Sequence, residues 1–173
     1  MSRLGWLTLR AFSSLGVGAY YRAFRVENAE RIPKQGPILF VVNHPNGLVD
    51  GGAVLRAVPR PVSIGVRSRL FRVPVLGWVL RWLGLLPVER PRRARGPERG
   101  ALELFTPFTK VFRRGDSVAF FPDGTSHHAP QLKGLKSGAG RLARAAEAEA
   151  GFDLDLQGVP LGLHVEPAQQ FRG

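Results

Sequence analysis

Short apolar runs recur along this chain, and segments with the periodicity of helices separate them. A continuous apolar run of about four to eight residues that ends at a turn is typical of a buried β-strand. Such a run lies at residues 38–42. Further strands are predicted at residues 62–66, 85–88 and 117–121, with a last strand region at 156–165, and the helical segments lie at residues 4–26, 49–57, 70–83, 98–114 and 137–150. Because strands that alternate with helices favour an α/β fold, we predict a single layered domain in which helices flank a mixed β-sheet.

Length and composition limit the choice further. The chain has 173 residues, of which 44% are hydrophobic. This length suits one domain with a substantial core and is short for two, and the hydrophobic fraction excludes a disordered chain. The sequence contains no cysteine, which excludes disulfides, thiolate metal ligands and a cysteine nucleophile.

The chain is strongly basic, with a net charge of +12 and 21 arginines against 4 lysines. Such a balance favours anionic partners, which include phosphate groups, anionic lipids and nucleic acid. A general compositional bias towards arginine would give the same numbers without a functional reason. Nucleic acid is the least supported of these partners, because the arginines are not interleaved with aromatic residues and no nucleic-acid-binding motif occurs.

Residues 4–26 are predicted to form an amphipathic helix. One face carries Leu4, Leu7, Ala11 and Leu15, and another carries Arg3, Arg10 and Ser14. Trp6, Tyr20 and Tyr21 are aromatic residues that suit a membrane–water boundary. We predict that residues 1–27 form a membrane-associated helix and that residues 28–173 form the remaining domain. Packing of the helix on its own domain would explain the same pattern.

No segment is predicted to cross a membrane. A spanning helix needs ~20 predominantly apolar residues, and Arg10 and Arg81 interrupt the apolar stretches at residues 4–21 and 73–88. The N-terminus also lacks the layout of a signal peptide, because Arg10 divides the apolar region and no cleavage site follows.

A histidine and an aspartate follow the first predicted strand, in the segment NHPNGLVD at residues 43–50. Functional residues of α/β sheets gather at such strand ends. Across a turn and the start of a helix, the carboxylate of Asp50 can return to the ring of His44 and fix its tautomer. The other ring nitrogen could then accept a proton from a hydroxyl group. The alternative is a loop histidine beside a helix-capping aspartate.

A second polar segment, FPDGTS at residues 121–126, follows the fourth predicted strand. Gly124 permits unusual backbone dihedrals, and the N–H and hydroxyl groups of Thr125 and Ser126 could hold an anion. An ordinary Pro-Asp-Gly turn is the alternative. His127 and His128 with Asp123 lack a placed third ligand, so no metal site is predicted. The chain has no Gly-x-Ser-x-Gly elbow, which argues against a serine hydrolase.

Four blocks occur in a fixed order along the chain. They are Asn43-His44 with Asp50, the stretch from Arg67 to Arg90 that ends in Leu86-Pro87-Val88-Glu89-Arg90, the stretch from Phe121 to Thr125, and Val159-Pro160-Leu161. Together they resemble the PlsC-type glycerolipid acyltransferase family from about residue 20 to the end. Five residues separate His44 from Asp50 where the commonest family form has four. Asp123 stands in place of the usual Glu, and Ser126 in place of a frequent Arg.

The resemblance implies direct transfer of a fatty acyl group from a thioester to a hydroxyl, in phospholipid synthesis. It assigns catalysis to His44 as general base and to Asp50 as its partner. It implies that the substrates contact Asn43, Arg67, Arg90, Asp123, Gly124, Thr125, Ser126 and Lys136. The donor would be acyl-CoA or acyl-carrier protein and the acceptor a phosphorylated glycerol, with no metal or other cofactor. The protein would associate with the cytoplasmic face of a membrane.

Two other functions fit the same residues. A non-catalytic basic lipid-binding domain, or a truncated pseudoenzyme, would not need His44. A thioesterase would use water in place of the acceptor alcohol. Family members usually continue with more strands after the fourth block, so we expect that this chain is truncated at its C-terminal end.

Overall fold

The computed structural model describes residues 2–44, 48–88, 97–122 and 137–165. The described helices are α1 (Arg3–Tyr20), α2 (Leu48–Ala57), α3 (Pro74–Trp82), α4 (Pro97–Phe112) and α5 (Gly138–Glu149). The described strands are β1 (Ile38–Val42), β2 (Val62–Arg67), β3 (Leu86–Val88), β4 (Ser117–Phe120) and β5 (Gln157–Leu161). Short 3₁₀ turns at Ala29–Arg31 and Ser68–Arg72 complete the described elements.

The five described strands form one sheet in the order β3-β2-β4-β1-β5. In the centre, Phe40 of β1 lies opposite Ala119 of β4 and Val159 of β5. The α/β fold class is therefore confirmed. The sequence predicts a mixed sheet, but every described pairing is parallel. A helix lies between each pair of consecutive strands and returns the chain to the same edge, which makes the strands parallel.

Helices cover both faces of the sheet, as in other parallel sheets. On one face, Phe40 and Val42 of β1 pack with Val54 of α2 and with Val58, which directly follows that helix. On the other face, Leu39 packs with apolar side chains of α4 and α5, namely Phe105, Phe108, Phe112 and Leu142. Full burial of each such side chain stabilises the fold by about 1.5–3 kcal/mol. This two-sided burial explains why the central strands β1, β2 and β4 have consecutive buried residues, whereas burial alternates along β3 and β5.

The predicted strand ends agree with the structure to within one residue, except in the last strand. That strand is predicted over residues 156–165 but ends at Leu161. It contains Pro160, which has no N–H to donate and is tolerated because β5 lies at an outer position of the described sheet.

Two helix boundaries differ from the prediction. Helix α1 ends at Tyr20 instead of residue 26, because Tyr21 is already extended and the Phe24 ring packs 4.7 Å from the guanidinium carbon of Arg56. The predicted helix at 70–83 begins as a 3₁₀ turn, and α3 starts only at Pro74. A proline favours the first helical position and keeps the preceding residue extended.

Helix α1 packs on the domain by one face and leaves the other open. Ser2 caps the helix by accepting the Gly5 N–H at 3.0 Å. Val17 is buried against α2, where a Cβ on Gly52 would lie 3.2 Å from it. The face predicted from Leu4 and Leu15 is outward, with exposures of 66% and 71%. None of the described helices is long and apolar enough to cross a bilayer.

Candidate active site

The residues predicted to carry chemistry lie at the carboxyl edge of the sheet. Because the strands are parallel, their C-terminal ends meet at this edge, where α/β proteins usually bind ligands. His44 follows the end of β1, Phe121 follows the end of β4, and Arg67 is the last residue of β2. Strand β4 lies between β1 and β2, so Arg67 is about two strand spacings, or ~10 Å, from the end of β1 along the sheet.

His44 and Asp50 are in contact. The ring atom Nδ1 lies 2.9 Å from Asp50 Oδ2, and the two side chains are 20% and 2% exposed. Asp50 is in the first turn of α2, where unpaired backbone N–H groups and the helix dipole stabilise a negative charge. The spacing-based prediction that these two side chains come together is therefore confirmed by their geometry.

The contact between the two side chains is close but not ideally aligned. At 2.9 Å the separation suits a hydrogen bond, yet the direction of the ring N–H does not, and the described residues give Nδ1 no other hydrogen-bond partner. Such bonds are often poorly aligned without substrate and tighten in the substrate complex. The geometry thus directs Nδ1 towards the carboxylate and leaves Nε2 as the nitrogen that could exchange a proton with a ligand.

A phenylalanine ring supports the imidazole from the side. The rings of His44 and Phe121 have centroids 4.6 Å apart and are tilted by 40°. Phe121 also packs against the core cluster that contains β1 and α2. The sequence indicates Phe121 only as part of a motif and does not predict this contact. Its position directly after a strand that is adjacent to β1 is the only signal that could have indicated it.

Asn43 is held by the main chain that follows β5. Its Nδ2 donates to the carbonyl oxygen of Leu163 at 2.8 Å, and its Oδ1 accepts the Leu163 N–H at 2.6 Å. Each polar end of the amide therefore already has a backbone partner. A primary amide has a second N–H and a second lone pair, so the predicted contact between Asn43 and a substrate stays a prediction.

The other predicted contacts are placed only in part. Arg67 is exposed at the carboxyl edge, as expected for a group that meets a charged ligand. Arg90, Asp123, Gly124, Thr125, Ser126 and Lys136 lie outside the described residues, so their roles stay predictions. Among the described residues, no three His, Asp or Glu side chains lie close enough to hold a metal ion.

Comparison with known proteins identifies the family. The family model for acyltransferases matches residues 23–164, and the chain therefore belongs to the acyltransferase family. This confirms the resemblance seen in the four blocks. The match ends three residues after Leu161, the end of β5, and so includes every described strand.

Individual relatives agree with this assignment. An uncharacterised acyltransferase of Schizosaccharomyces pombe is 30% identical over 82% of this chain and 50% of its own length. A chloroplast 1-acyl-sn-glycerol-3-phosphate acyltransferase of Arabidopsis thaliana is 24% identical over 78% of this chain and 36% of its own length. The chain thus spans between about a third and a half of these curated relatives.

A solved structure shares the fold. The crystal structure of the 1-acyl-sn-glycerophosphate acyltransferase PlsC from Thermotoga maritima superposes with a TM-score of 0.60. The superposition covers 97% of this chain and 71% of that chain, at 19% identity. At this identity the likeness supports the architecture alone.

Proposed function

We propose that this protein transfers an acyl group from a thioester to a hydroxyl of a glycerol-phosphate acceptor. The observation that carries the proposal is the 2.9 Å contact between His44 and the buried Asp50 at the carboxyl edge of the sheet. Membership of the acyltransferase family supports the reaction type. The Arabidopsis relative, a 1-acyl-sn-glycerol-3-phosphate acyltransferase, supports the acceptor class. The donor is acyl-CoA or acyl-carrier protein.

The proposed chemistry follows from the ring geometry. Asp50 holds Nδ1 protonated, so Nε2 is free to take the proton of the acceptor hydroxyl as its oxygen attacks the thioester carbonyl. Backbone N–H groups would stabilise the negative charge that develops on the carbonyl oxygen. Collapse of that intermediate breaks the carbon–sulfur bond, and the proton on Nε2 passes to the departing thiolate. Because a thioester is already an activated acyl donor, we propose that no metal or other cofactor takes part.

We assign the acceptor phosphate to the basic side of the same edge. Arg67 at the end of β2 is exposed there, and a guanidinium can bind a phosphate through two parallel hydrogen bonds. Arg90, Gly124, Thr125 and Lys136 are proposed to complete this contact, as the family resemblance implies.

Acceptor-dependent thiol release tests the function. Purified protein would be mixed with acyl-CoA and, in turn, glycerol 3-phosphate, 1-acylglycerol 3-phosphate, or no acceptor. We expect release only with an acceptor, and a decrease of about 10²–10⁴-fold in His44→Ala, with an unchanged melting temperature. Equal release without acceptor would indicate a thioesterase. Absence of release with every acceptor, together with retained lipid binding, would indicate a non-catalytic lipid-binding domain or a pseudoenzyme.

We further propose that α1 and α3 dock on a membrane surface, on its cytoplasmic side. Phe12 and Leu15 of α1 are 69% and 71% exposed, and Val75 and Trp78 of α3 are 76% and 66% exposed. The two helices touch where the Cα of Gly5 approaches the carbonyl oxygen of Trp82 too closely for any side chain. Exposed apolar surface of this kind, accompanied by arginines, suits the boundary of an anionic bilayer.

Sedimentation with lipid vesicles tests the docking surface. The double variant Phe12→Ser with Leu15→Ser is expected to bind vesicles of mixed neutral and anionic lipid at least about tenfold more weakly. Phe152→Ser is a matched control, because Phe152 is 72% exposed but belongs to the loop before β5 and not to either helix. Equal loss in both proteins would contradict the proposed surface.

A further inference from the structure

We propose that Asn43 is a positioning residue for His44, which it fixes by joining the ends of β1 and β5; this inference rests on the proposed role of His44. The side-chain amide makes two hydrogen bonds to one residue, Leu163, at 2.8 Å and 2.6 Å. Leu163 is 120 residues away in sequence. The amide therefore acts as a bridge between two strand ends and not as a surface group.

The bridge lies where the regular pairing of β1 with β5 ends. The last paired residues of the two strands are Val42 and Leu161, and Pro160, one position earlier, can donate no backbone hydrogen bond. Beyond Leu161 the chain is irregular. The two bonds of Asn43 extend the connection between the strands past the end of the regular ladder, and they do so immediately before His44.

Three elements then hold the imidazole and its backbone. Asp50 reaches Nδ1 from α2, Phe121 lies against the ring from the end of β4, and Asn43 fixes the preceding residue to the end of β5. The ring N–H is already imperfectly aligned with Asp50, so a small shift of the backbone would move it away from the carboxylate. A displacement of about 1 Å in a reacting group can reduce a rate by about 10²-fold.

The chain offers a matched control at the other end of β5. Glu147 of α5 also makes two hydrogen bonds to main chain, because its carboxylate accepts the N–H groups of Leu154 at 3.2 Å and Leu156 at 2.7 Å. Asn43 thus holds the chain just after β5 by two hydrogen bonds, and Glu147 holds the chain just before β5 by two hydrogen bonds. Only the Asn43 tie is adjacent to the proposed general base.

The experiment compares Asn43→Ala, Asn43→Asp and Glu147→Ala with the wild-type protein. The aspartate side chain can still accept the Leu163 N–H, but its second oxygen faces the Leu163 carbonyl oxygen and cannot donate to it. Asn43→Asp therefore removes one of the two hydrogen bonds and tests the inference if the alanine variant does not fold. Measurements are kcat, the KM for each substrate, the pH profile of kcat, and the NMR signals of the His44 ring, assigned by comparison with His44→Ala.

We expect Asn43→Ala to lower kcat by about 10- to 100-fold, with KM changed less than about twofold. Its pH profile and the His44 ring signals should shift, whereas Glu147→Ala should lower the melting temperature only. A raised acceptor KM with unchanged kcat would overturn the inference in favour of a substrate contact, and unchanged His44 signals would also overturn it. If the wild-type protein transfers no acyl group, the proposed function fails, but the His44 signals still decide whether Asn43 positions the ring.

Discussion

The two edges of the parallel sheet are stabilised in different ways. At the amino edge, Arg60 donates to the carbonyl oxygens of Pro33, Gly36 and Gly115 at 3.0, 2.8 and 3.1 Å. These carbonyls belong to the segments that lead into β1 and β4. Partial burial lowers the pKa of the Arg60 guanidinium, and the negative charge of Asp116 opposes this shift. The Arg60 guanidinium thus makes its hydrogen bonds to the main chain.

At the carboxyl edge, His44 and Arg67 have polar atoms that are not fully used in hydrogen bonds within the described residues. His44 is partly exposed, its Nδ1 contact with Asp50 is imperfectly aligned, and Arg67 faces solvent. The two edges therefore differ at these residues: Arg60 is paired with main chain at the amino edge, whereas His44 and Arg67 at the carboxyl edge are accessible to solvent, where we propose that the reaction takes place. A change at the amino edge should therefore reduce stability, and the equivalent change at the carboxyl edge should reduce rate.

The largest contrast is expected from removing one negative charge at each edge. Asp50→Asn should lower kcat by about 10²–10³-fold, because the neutral amide cannot stabilise the imidazolium that forms during proton transfer. Asp116→Asn makes the same chemical change at the amino edge and should leave kcat within about twofold. Steady-state acyl transfer at fixed temperature measures both, and retention of more than half the activity in Asp50→Asn would contradict the assigned role.

A stability effect of intermediate size is expected from Arg60→Ala. Loss of three charge-assisted hydrogen bonds at a partly buried position should lower the free energy of unfolding by about 2–3 kcal/mol. Activity per folded molecule should not change. The control is Arg113→Ala. Arg113 and Glu149 form an ion pair at 3.8 Å, with side-chain exposures of 61% and 45%, and an exposed pair of this kind contributes about 0–1 kcal/mol to stability. Urea denaturation measures the stability of both variants, and equal midpoints would contradict the proposed stabilising role of the three Arg60 hydrogen bonds.

The smallest contrast concerns two adjacent phenylalanines. Phe121 lies against His44, while Phe120 contacts Phe108 on the other face of the sheet, with ring centroids 6.2 Å apart. Phe121→Leu should lower kcat by about three- to tenfold, equivalent to ~1 kcal/mol, because the imidazole loses its lateral support. Phe120→Leu should reduce stability by about 1 kcal/mol without a comparable loss of rate. Acyl-transfer rates and urea denaturation are measured for both variants. A larger loss of kcat in Phe120→Leu than in Phe121→Leu would contradict the supporting role of Phe121.

Much of the local structure could be predicted from the sequence. The apolar run at 38–42 is β1 to the residue, because a strand buried on both faces needs only short-range apolar continuity. The contact of His44 with Asp50 is also predicted from the sequence, because only five residues separate the two. The end of the N-terminal helix is not visible in the sequence: the apolar pattern continues to residue 26, whereas α1 ends at Tyr20 and Phe24 packs against Arg56, 32 residues further along the chain.

The sequence by itself determined where the strands and helices lie and which residues follow each strand. Only the tertiary structure decided the strand order and the partners that meet at the edges of the sheet. Periodicity is a short-range property, whereas Asn43 meets Leu163 and Arg60 meets Gly115 through contacts 120 and 55 residues apart in sequence. Such contacts depend on which strands become neighbours, and that choice is made by the packing of the whole domain.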